Sequence, residues 1–516
     1  MSGPELGLAI FATVDICLGY VADLYHTLPF ADIFSVFFFH IRQGKLIVEK
    51  YKTFKNARTE IEDRTLIVEA TWLKISQQLE FLQRVWGSLD ERLQDIQERV
   101  IPILQGKLLA VVKQISKLEK HHARDCSGTS SVRQSGRYAL GMKESLEKAL
   151  QELQTWQLQF DPSWYLLMWG TEGAIDAELK HPGADKLSVA RNVRRVLKTD
   201  PGQEARIFLD PGRLQSARRS TIPHSTFQFV ELEKSKSFIL DSADRPFGDD
   251  HSIFRKDIRH LASRLQQVDP NTFHLLQCLG VVPREDSGSK EILSYDFIFK
   301  LPPEGSEPQS LRGHLLSRGI YSLGDRITLA KQLATSISNI HLLDIVHKNI
   351  RPETVLIFQD NCTRSKLGRS FLLGFKSFRM ADGRTNLAGN SVLNEDFYRH
   401  PDRRGSTPRR EYIMQHDIYS IGVCFLEIGL WQSFVNDGKP NYSLVEGEIL
   451  KDGFIKLAQE KLPSTMGEKY MKVVVNCLSC LDATNEDFCN STEFEDNDGI
   501  MLGFKYIEKV RILFVE

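Results

Sequence analysis

The 516-residue sequence lacks an excess of charge of either sign. Its 66 Lys and Arg residues are balanced by 67 Asp and Glu residues, which gives a formal net charge of −1 at pH 7. Proteins that bind nucleic acid through its phosphates usually present a basic surface. We therefore expect no nucleic-acid partner.

Apolar runs long enough to cross a membrane are also lacking. Residues 6–22 are apolar, but no Lys or Arg precedes them and Asp15 interrupts them, which argues against a secretory signal peptide. The next apolar run, residues 30–41, contains Asp32 and is too short to span a bilayer as a helix. These features predict a cytoplasmic protein.

The sequence lacks a second Cys or His pair to complete a zinc-finger site with Cys477 and Cys480. The eight cysteines are scattered apart from Cys477 and Cys480, which lie in the apolar run VVVNCLSCL. A structural zinc site needs a second Cys or His pair at suitable spacing. We expect both thiols to be buried in a reducing compartment.

From about residue 44 to 122, and again from about 137 to 157, the sequence has helical periodicity, with a polar loop expected at 126–136. Apolar residues recur in steps of three and four, the spacing that keeps one face of a helix against a core. The clearest series is Leu79, Leu82, Trp86, Leu89, Leu93, Ile96 and Val100. This pattern predicts an all-α helical bundle over residues 1–198.

Residues 20–43 break the helical rhythm and carry a cluster of Phe residues. Without them, the flanking segments would join into one smooth amphipathic helix. We interpret this stretch as a translated intron, with a membrane-active aromatic wedge as the alternative.

The pattern changes after residue 198. Residues 199–224 mix Pro, Gly, Ser and Arg without periodicity and are interpreted as a linker. Strand-like runs follow at 227–234, 279–285 and 292–302, with one helix at about 250–267, and helices then dominate. Strands followed by helices predict an α+β domain over 225–516, so the whole chain is expected to be multidomain.

Four blocks within that domain resemble the motifs of protein kinases, in the kinase order. IVHKNIRPETVLIF (345–358) resembles the catalytic loop H-R-D-L-K-P-E-N. FLLGFKSFR (371–379) resembles the Asp-Phe-Gly segment, DFYRHPD (396–402) the end of the activation loop, and HDIYSIGVCFLEI (416–428) the helix after it. The matching residues are His347, Pro352, Glu353, Phe375, Pro401, Asp402, Asp417 and Gly422. The resemblance implies a bilobal kinase-like fold, with a small lobe at about 225–302 and a large lobe at about 303–516.

The residues that a kinase uses for chemistry are replaced in these motifs. Asn349 stands where the catalytic Asp would accept a proton, and its amide carries no charge. Thr354 replaces the metal-binding Asn, Gly374 replaces the metal-binding Asp, and Arg351 replaces Lys. Because hard cations prefer charged oxygen ligands, we expect neither catalysis nor a magnesium site. In the family, His347 and Asp417 brace the loop backbone.

The sequence has few of the motifs that bind a nucleotide in kinases. No G-x-G-x-x-G motif occurs between about 205 and 230. Lys234 aligns with the phosphate-binding lysine of kinases, or it is an ordinary lysine at the end of a strand. Its acidic partner has no clear equivalent, and Asp257 is the nearest candidate. ATP binding without magnesium is left open.

The N-terminal half is similar to the HeLo family, the prion-inhibition-and-propagation domains of fungal incompatibility proteins. The likeness lies in a short polar start, Gly7, an apolar first helix interrupted by Asp15, and the long helices that follow. The resemblance implies a first helix that enters membranes through Leu8, Ile10, Phe11, Val14, Ile16 and Leu18. At rest the same residues would pack in the bundle core.

The combined layout is similar to the mixed-lineage-kinase-domain-like executioners of animal necroptosis. It implies a pseudokinase switch that controls a membrane-active bundle, with protein partners from an incompatibility or death pathway and plasma-membrane association on activation. An atypical active kinase and a non-catalytic scaffold are the alternatives.

Overall fold

The structure is a computed structural model of the 516-residue chain. It describes residues 78–89, 91, 94–95, 97–104, 106–107, 110–111, 113, 145, 148–153, 173–179, 188–198, 207–214, 217–232, 236–245, 251–286, 288, 291–302, 307–359, 367–380, 393–405, 408–436, 439–440 and 447–485. The candidate membrane residues Leu8 to Leu18, the stretch 20–43 and Lys234 lie outside these ranges.

The chain divides into two compact units, Met1–Leu187 and Ser188–Glu516. In the first unit, residues 78–85 and 97–104 are helical, Trp86–Ser88 form a 3-10 turn, and Gly173–Leu179 form helix α1. Leu79, Leu82, Trp86 and Leu89, which the periodicity places on one face, are all buried.

The second unit begins earlier than the sequence pattern suggests. Helix α2 (Ser188–Leu197), expected at the end of the bundle, belongs to this unit. Asn192 donates a hydrogen bond to the Thr272 hydroxyl at 3.3 Å, and Arg195 donates to the Gln267 carbonyl at 2.8 Å. Its amphipathic sequence is equally compatible with either unit, so only these contacts assign it.

A five-stranded antiparallel sheet opens the second unit, in the order β1-β2-β3-β5-β4. Its strands are β1 (Arg218–Thr221), β2 (Gln228–Leu232), β3 (Lys236–Asp244), β4 (Cys278–Glu285) and β5 (Ile292–Lys300). Leu214, Val230, Leu240, Val282 and Ile298 form a core cluster of this sheet. The alternation of buried and exposed residues along a strand produces such a face.

Part of the expected linker is folded onto this sheet. Phe208 forms a parallel bridge with Val281 of β4, and a 3-10 turn spans Pro211–Leu214. The guanidinium groups of Arg255 and Arg259 lie over the Phe208 ring, at 4.4 and 5.4 Å from its centroid. The Pro and Gly residues that suggested a linker therefore belong to turns of the folded unit.

Helix α3 (His251–Gln267) packs against β4 and is followed by the short helix α4 (Pro270–Phe273). Phe254, Ile258, Leu261 and Leu265 of α3 are buried, at the spacing of one helix face. This helix was predicted at about 250–267.

The rest of the unit is mainly helical. Its helices are α5 (Leu311–Ser317), α6 (Leu323–Leu342), α7 (Leu393–Asp396), α8 (Met414–Leu430), α9 (Gly447–Met466) and α10 (Glu468–Leu478). Within the described residues, three short antiparallel sheets lie among these helices. The first contains β6 (Gln309–Ser310), β8 (Val355–Phe358) and β9 (Arg369–Leu372). The second pairs β7 (Ile345–Val346) with β10 (Arg379–Met380), and the third pairs β11 (Val435–Asn436) with β12 (Lys439–Pro440). Antiparallel sheets combined with helices give the α+β class that the sequence predicts.

Helix α8 is buried along nearly its whole length, between α6, α9 and α10. A side chain at Gly422 would place its Cβ 2.8 Å from the Cβ of Cys477, so glycine allows α8 and α10 to approach closely. Cys477 and Cys480 are buried, as predicted. None of the described helices is both long and apolar enough to span a membrane.

Candidate functional site

The segment 345–358 runs from β7 through a loop and a 3-10 turn (Pro352–Thr354) into β8. Asp417, near the start of α8, holds the loop backbone, because its carboxylate accepts the N–H groups of His347 at 2.8 Å and Lys348 at 2.9 Å. His341 and the Tyr412 hydroxyl contact the same carboxylate at 3.0 and 2.9 Å. Burial acts to raise the pKa of Asp417, but these partners hold it below its ordinary value.

His347 is fully buried beneath this loop. Its Nε2 lies 3.0 Å from the Leu373 carbonyl, and its Nδ1 accepts the backbone N–H of Asn349. These contacts assign the proton of the neutral ring to Nε2. Burial lowers the pKa of His347 to about 4, so the ring is uncharged at neutral pH. His347 and Asp417 thus both brace the loop backbone.

Asn349 uses both ends of its amide within the protein. Its Nδ2 donates to the Gly374 carbonyl at 3.0 Å, while its Oδ1 accepts from Arg351 Nε at 3.0 Å. The side chain therefore joins the loop to the turn at residue 374. An amide held in this way has no charge with which to accept a substrate proton.

Thr354 turns its hydroxyl back onto its own loop. Its Oγ1 lies 3.0 Å from the Asn349 carbonyl and 2.8 Å from the Arg351 carbonyl, and it accepts the Arg351 N–H at 3.2 Å. All of these contacts are to backbone groups of residues 349 and 351, so the hydroxyl stabilises the loop and its 3-10 turn. The methyl group of Thr354 faces Gly374.

Gly374 has a φ of +93°, a conformation that residues with a Cβ rarely adopt. A Cβ built there would lie 2.5 Å from Thr354 Cγ2 and 3.1 Å from Asn349 Nδ2. Residues 349, 354 and 374, at which the kinase resemblance implies missing ligands, are therefore in mutual contact. No carboxylate could be placed at 374 without moving Thr354.

Asp241 of β3 contacts the same turn from the sheet side. Its Oδ2 accepts the backbone N–H groups of Gly374 and Phe375, each at 2.9 Å. The carboxyl group is 3% exposed, and burial raises its pKa to about 7. Phe375 is buried next to it, with its ring 6.3 Å from that of Phe299 and 5.0 Å from that of His347. We call this set of contacts the Asp241 clamp.

A second carboxyl group lies beside the clamp. Asp296 of β5 is 3% exposed, accepts from the Ser242 hydroxyl at 2.6 Å and pairs with Arg284 at 2.7 Å. Its charge also acts to raise the pKa of Asp241. Two carboxyl groups therefore lie close together beside the 374–375 turn, whereas a polyphosphate would need positive charge.

Lys234 falls between β2 and β3 and lies outside the described residues. Asp257, the proposed acidic partner, is on α3 and is partly buried. Sequence reasoning missed Asp241, which alternates with Ile239 and Ala243 on one buried face of β3. An Asp on the apolar face of a strand was the signal that could have found it.

Glu395 of α7 gathers three basic side chains. Lys376 contacts it at 2.6 Å, Arg399 at 2.9 Å and Arg351 at 3.4 Å. Burial acts to raise the pKa of Glu395, and these cations lower it overall. Glu395 thereby links Arg351 and Lys376, the residue that follows Phe375 of the Asp241 clamp, to helix α7.

Pro352 and Phe375 are buried within this arrangement, and Glu353 pairs with Arg312 of α5 at 3.0 Å. Pro401 begins the 3-10 turn Pro401–Arg403, and Asp402 follows it. Within the described residues, the structure thus brings 347, 349, 351, 354 and 374 into one connected group, while Pro401 lies on a separate turn.

The stability of the unit should fall on acidification. Burial lowers the pKa to about 4 for His347, about 4 for His400 and about 3 for His416. Below the unfolded pKa of 6.5, the unfolded chain protonates these histidines while the folded chain keeps them neutral. The stability that the folded state has above pH 6.5 is therefore lost as the pH falls. Asp241 acts oppositely, because its raised pKa favours the fold at low pH. These four groups give an uptake of about two protons on unfolding near pH 5, or roughly 2 kcal/mol per pH unit.

Urea unfolding of the full chain between pH 5 and 6.5 measures this slope. Asp241→Asn removes the opposing group, so the loss of stability on acidification should become steeper by about one proton equivalent. A urea midpoint that does not change over this range would contradict the assignment of neutral buried histidines.

Comparison with known proteins adds no relative: no protein-family model matches the chain, and no curated protein sequence matches it.

Proposed function

We propose that the second unit is a protein-kinase-like domain that does not transfer phosphate and serves as a switch for the N-terminal half. The motif order along 345–428 supports the kinase-like interpretation. The hydrogen-bonded group formed by Asn349, Arg351 and Thr354 with Gly374 supports the absence of chemistry, and it is the observation that carries the proposal.

Each lost function has a separate physical cause within that group. Proton transfer needs a basic group, and Asn349 has only an amide that is already bonded at both ends. Magnesium needs several oxygen ligands in near-octahedral geometry. Gly374 supplies none, and the Thr354 hydroxyl is directed at backbone carbonyls. Restoring one residue alone would not restore the others.

The two buried carboxyl groups argue further against the active-kinase alternative. Asp241 bonds the backbone of the 374–375 turn and Asp296 lies close to Asp241, and both are nearly inaccessible to solvent. A nucleotide triphosphate at this turn would meet carboxyl groups, one of them already paired with Arg284, where phosphates need cations. Weak ATP binding, or none, is therefore part of the proposal.

A switch needs an element with two arrangements. The Asp241 clamp joins the sheet to the 374–375 turn through a single carboxyl group, and Glu395 joins the adjacent Lys376 to α7. Release of the clamp would free the turn without unfolding the sheet or the helices. A partner that binds only the released form would shift the equilibrium.

The membrane-active role of residues 1–198 rests on the HeLo resemblance, with Leu8, Ile10, Phe11, Val14, Ile16 and Leu18 as the candidate inserting residues. Leakage of anionic liposomes by the full chain separates this role from the non-catalytic scaffold. Protein partners of an incompatibility or death pathway, and plasma-membrane association on activation, follow from the same resemblance.

The proposal predicts no magnesium-dependent response to nucleotide. We expect the unfolding temperature of the full chain to change by less than about 1 °C with ATP, with or without Mg²⁺, since a ligand stabilises only the state that it binds. Asp241→Asn removes one negative charge while its amide oxygen can still accept both N–H bonds. This matched variant tests whether charge excludes the nucleotide. A magnesium-dependent shift in the unmodified chain would overturn the proposal.

A further inference from the structure

A second group of side chains lies away from the Asp241 clamp. His400 and Asp402 belong to the 393–405 segment, and His416 lies in the first turn of α8. One ligand atom from each of the three residues lies within 4.8 Å of the others. The imidazole rings of His400 and His416 have centroids 5.2 Å apart, and His400 Nδ1 is 3.8 Å from Asp402 Oδ2.

The polar atoms around this group are buried without partners. His400 Nε2, His416 Nε2 and the Tyr419 hydroxyl have no hydrogen-bond partner within the protein. Their residues are 4%, 0% and 0% exposed, so solvent does not replace the missing partners. The Tyr419 ring contacts His400 edge-on, with centroids 5.1 Å apart. Buried polar atoms without partners are costly, and several together indicate a missing ligand or water.

We propose that His400, Asp402 and His416 form a binding site for a divalent late transition-metal ion, with zinc as the best match. Two imidazoles and one carboxylate are a donor set that zinc accepts, and three protein ligands leave a fourth position open. Magnesium and calcium prefer oxygen donors and are poor matches. Nothing in the kinase-like motifs predicts this site.

The protonation state of the site suits a metal. Each imidazole accepts a backbone N–H at its Nδ1, which an imidazolium ion cannot do, so both rings are held in the neutral form. Neutral imidazole is the form that binds metals. Metal loading would not have to displace a proton from an imidazolium ion.

Metal loading does require a local rearrangement. The Nδ1 atoms of His400 and His416 accept the backbone N–H groups of Asp402 at 3.2 Å and Ile413 at 2.9 Å. These bonds place the ring protons on the unpartnered Nε2 atoms. Ligation through Nε2 moves each proton to Nδ1, so each ring must also turn away from the backbone N–H that it now accepts. Coordination to a divalent ion contributes more than the two neutral hydrogen bonds that are given up.

A bound ion would join two separate elements. His400 and Asp402 flank the start of the Pro401–Arg403 turn, and His416 lies at the start of α8, one residue before Asp417. The ion would hold the end of the 393–405 segment against α8, which also carries the carboxylate that braces the loop at 347. The site is independent of the proposed loss of catalysis.

The test uses the full chain, freed of metal with a chelator and titrated with ZnCl₂. We expect binding that raises the unfolding temperature, and Co²⁺ in place of Zn²⁺ should give the visible absorption of a four-coordinate site. Asp402→Asn and His400→Gln should each weaken the affinity by more than about 100-fold, since even outer-shell changes cost 10- to 100-fold. His314→Gln, which alters a buried histidine elsewhere in the unit, is the matched control.

Two outcomes overturn the proposal. If the unmodified chain binds no zinc, the cluster holds an internal water bridging the two imidazole N–H groups. If zinc binds with equal affinity and stoichiometry to the Asp402→Asn and His400→Gln variants, the ion sits elsewhere in the chain. Asp402→Asn is nearly isosteric, so it keeps the test valid should His400→Gln fail to fold.

Discussion

Replacement of Arg312 by Ala is expected to lower the free energy of unfolding by about 3–5 kcal/mol. Arg312 is buried at the start of α5 and pairs with Glu427 at 2.7 Å and Glu353 at 3.0 Å. It also donates to the hydroxyls of Ser433 at 2.7 Å and Tyr398. Its removal leaves Glu427, which is 0% exposed, without its cation.

The loss of stability should come mostly from Glu427, whose buried carboxylate is left without a cation. Burial already raises the pKa of Glu427 despite the contact with Arg312. Adding Glu427→Gln to Arg312→Ala removes the uncompensated charge and should recover part of the lost stability. Chemical denaturation of the three variants measures this as a double-mutant cycle.

Lys456→Ala is the surface control for this cycle. Lys456 and Glu460 form an i,i+4 pair at 4.0 Å with both side chains largely exposed. Such pairs contribute about 0.3–0.5 kcal/mol. Equal effects for Arg312→Ala and Lys456→Ala would show that the buried network is not stabilising.

Gly374→Ala is expected to cost about 2–5 kcal/mol, even though it adds a single methyl group. Two separate effects contribute. The backbone has a φ of +93°, and the new Cβ would lie 2.5 Å from Thr354 Cγ2. The denaturation midpoint of the variant, relative to the unmodified chain, gives the combined cost.

Gly405 is the control, since it has a φ of +77° and no atom within 4 Å of a built Cβ. Gly405→Ala therefore measures the cost of a positive φ without a steric clash, at about 1–2 kcal/mol. Thr354→Ser removes the nearest methyl group and should restore part of the stability of Gly374→Ala. If Gly374→Ala and Gly405→Ala cost the same, Thr354 does not fill the space beside residue 374.

This result also bears on function. A carboxylate at 374 would meet the same methyl group, so Gly374→Asp alone should yield a destabilised chain rather than a magnesium-binding one. Residues 349, 354 and 374 are therefore coupled by packing as well as by hydrogen bonds.

Much of the local structure was predictable from the sequence. The periodicity of Phe254, Ile258, Leu261 and Leu265 fixes helix α3. The apolar run at 292–302 gives the inner strand β5. The extent of the second unit was not predictable in the same way, because amphipathicity at 188–197 does not specify which neighbour covers the apolar face.

In the candidate site too, some features follow from the sequence and others only from the fold. The sequence by itself determined which donor groups residues 349, 354 and 374 can offer, because their identity decides what charge and oxygen atoms they carry. It also supplies His347 and Asp417, which contact the loop backbone.

Only the tertiary structure decided which distant groups surround those residues. Asp241 is 133 residues from Gly374 along the chain, and His400 and His416 are separated by a turn and a helix start. Strand pairing and helix packing place such groups within hydrogen-bond or ligand distance, and local sequence patterns carry no information about that distance. The Asp241 clamp and the His400–Asp402–His416 group therefore follow from the fold alone.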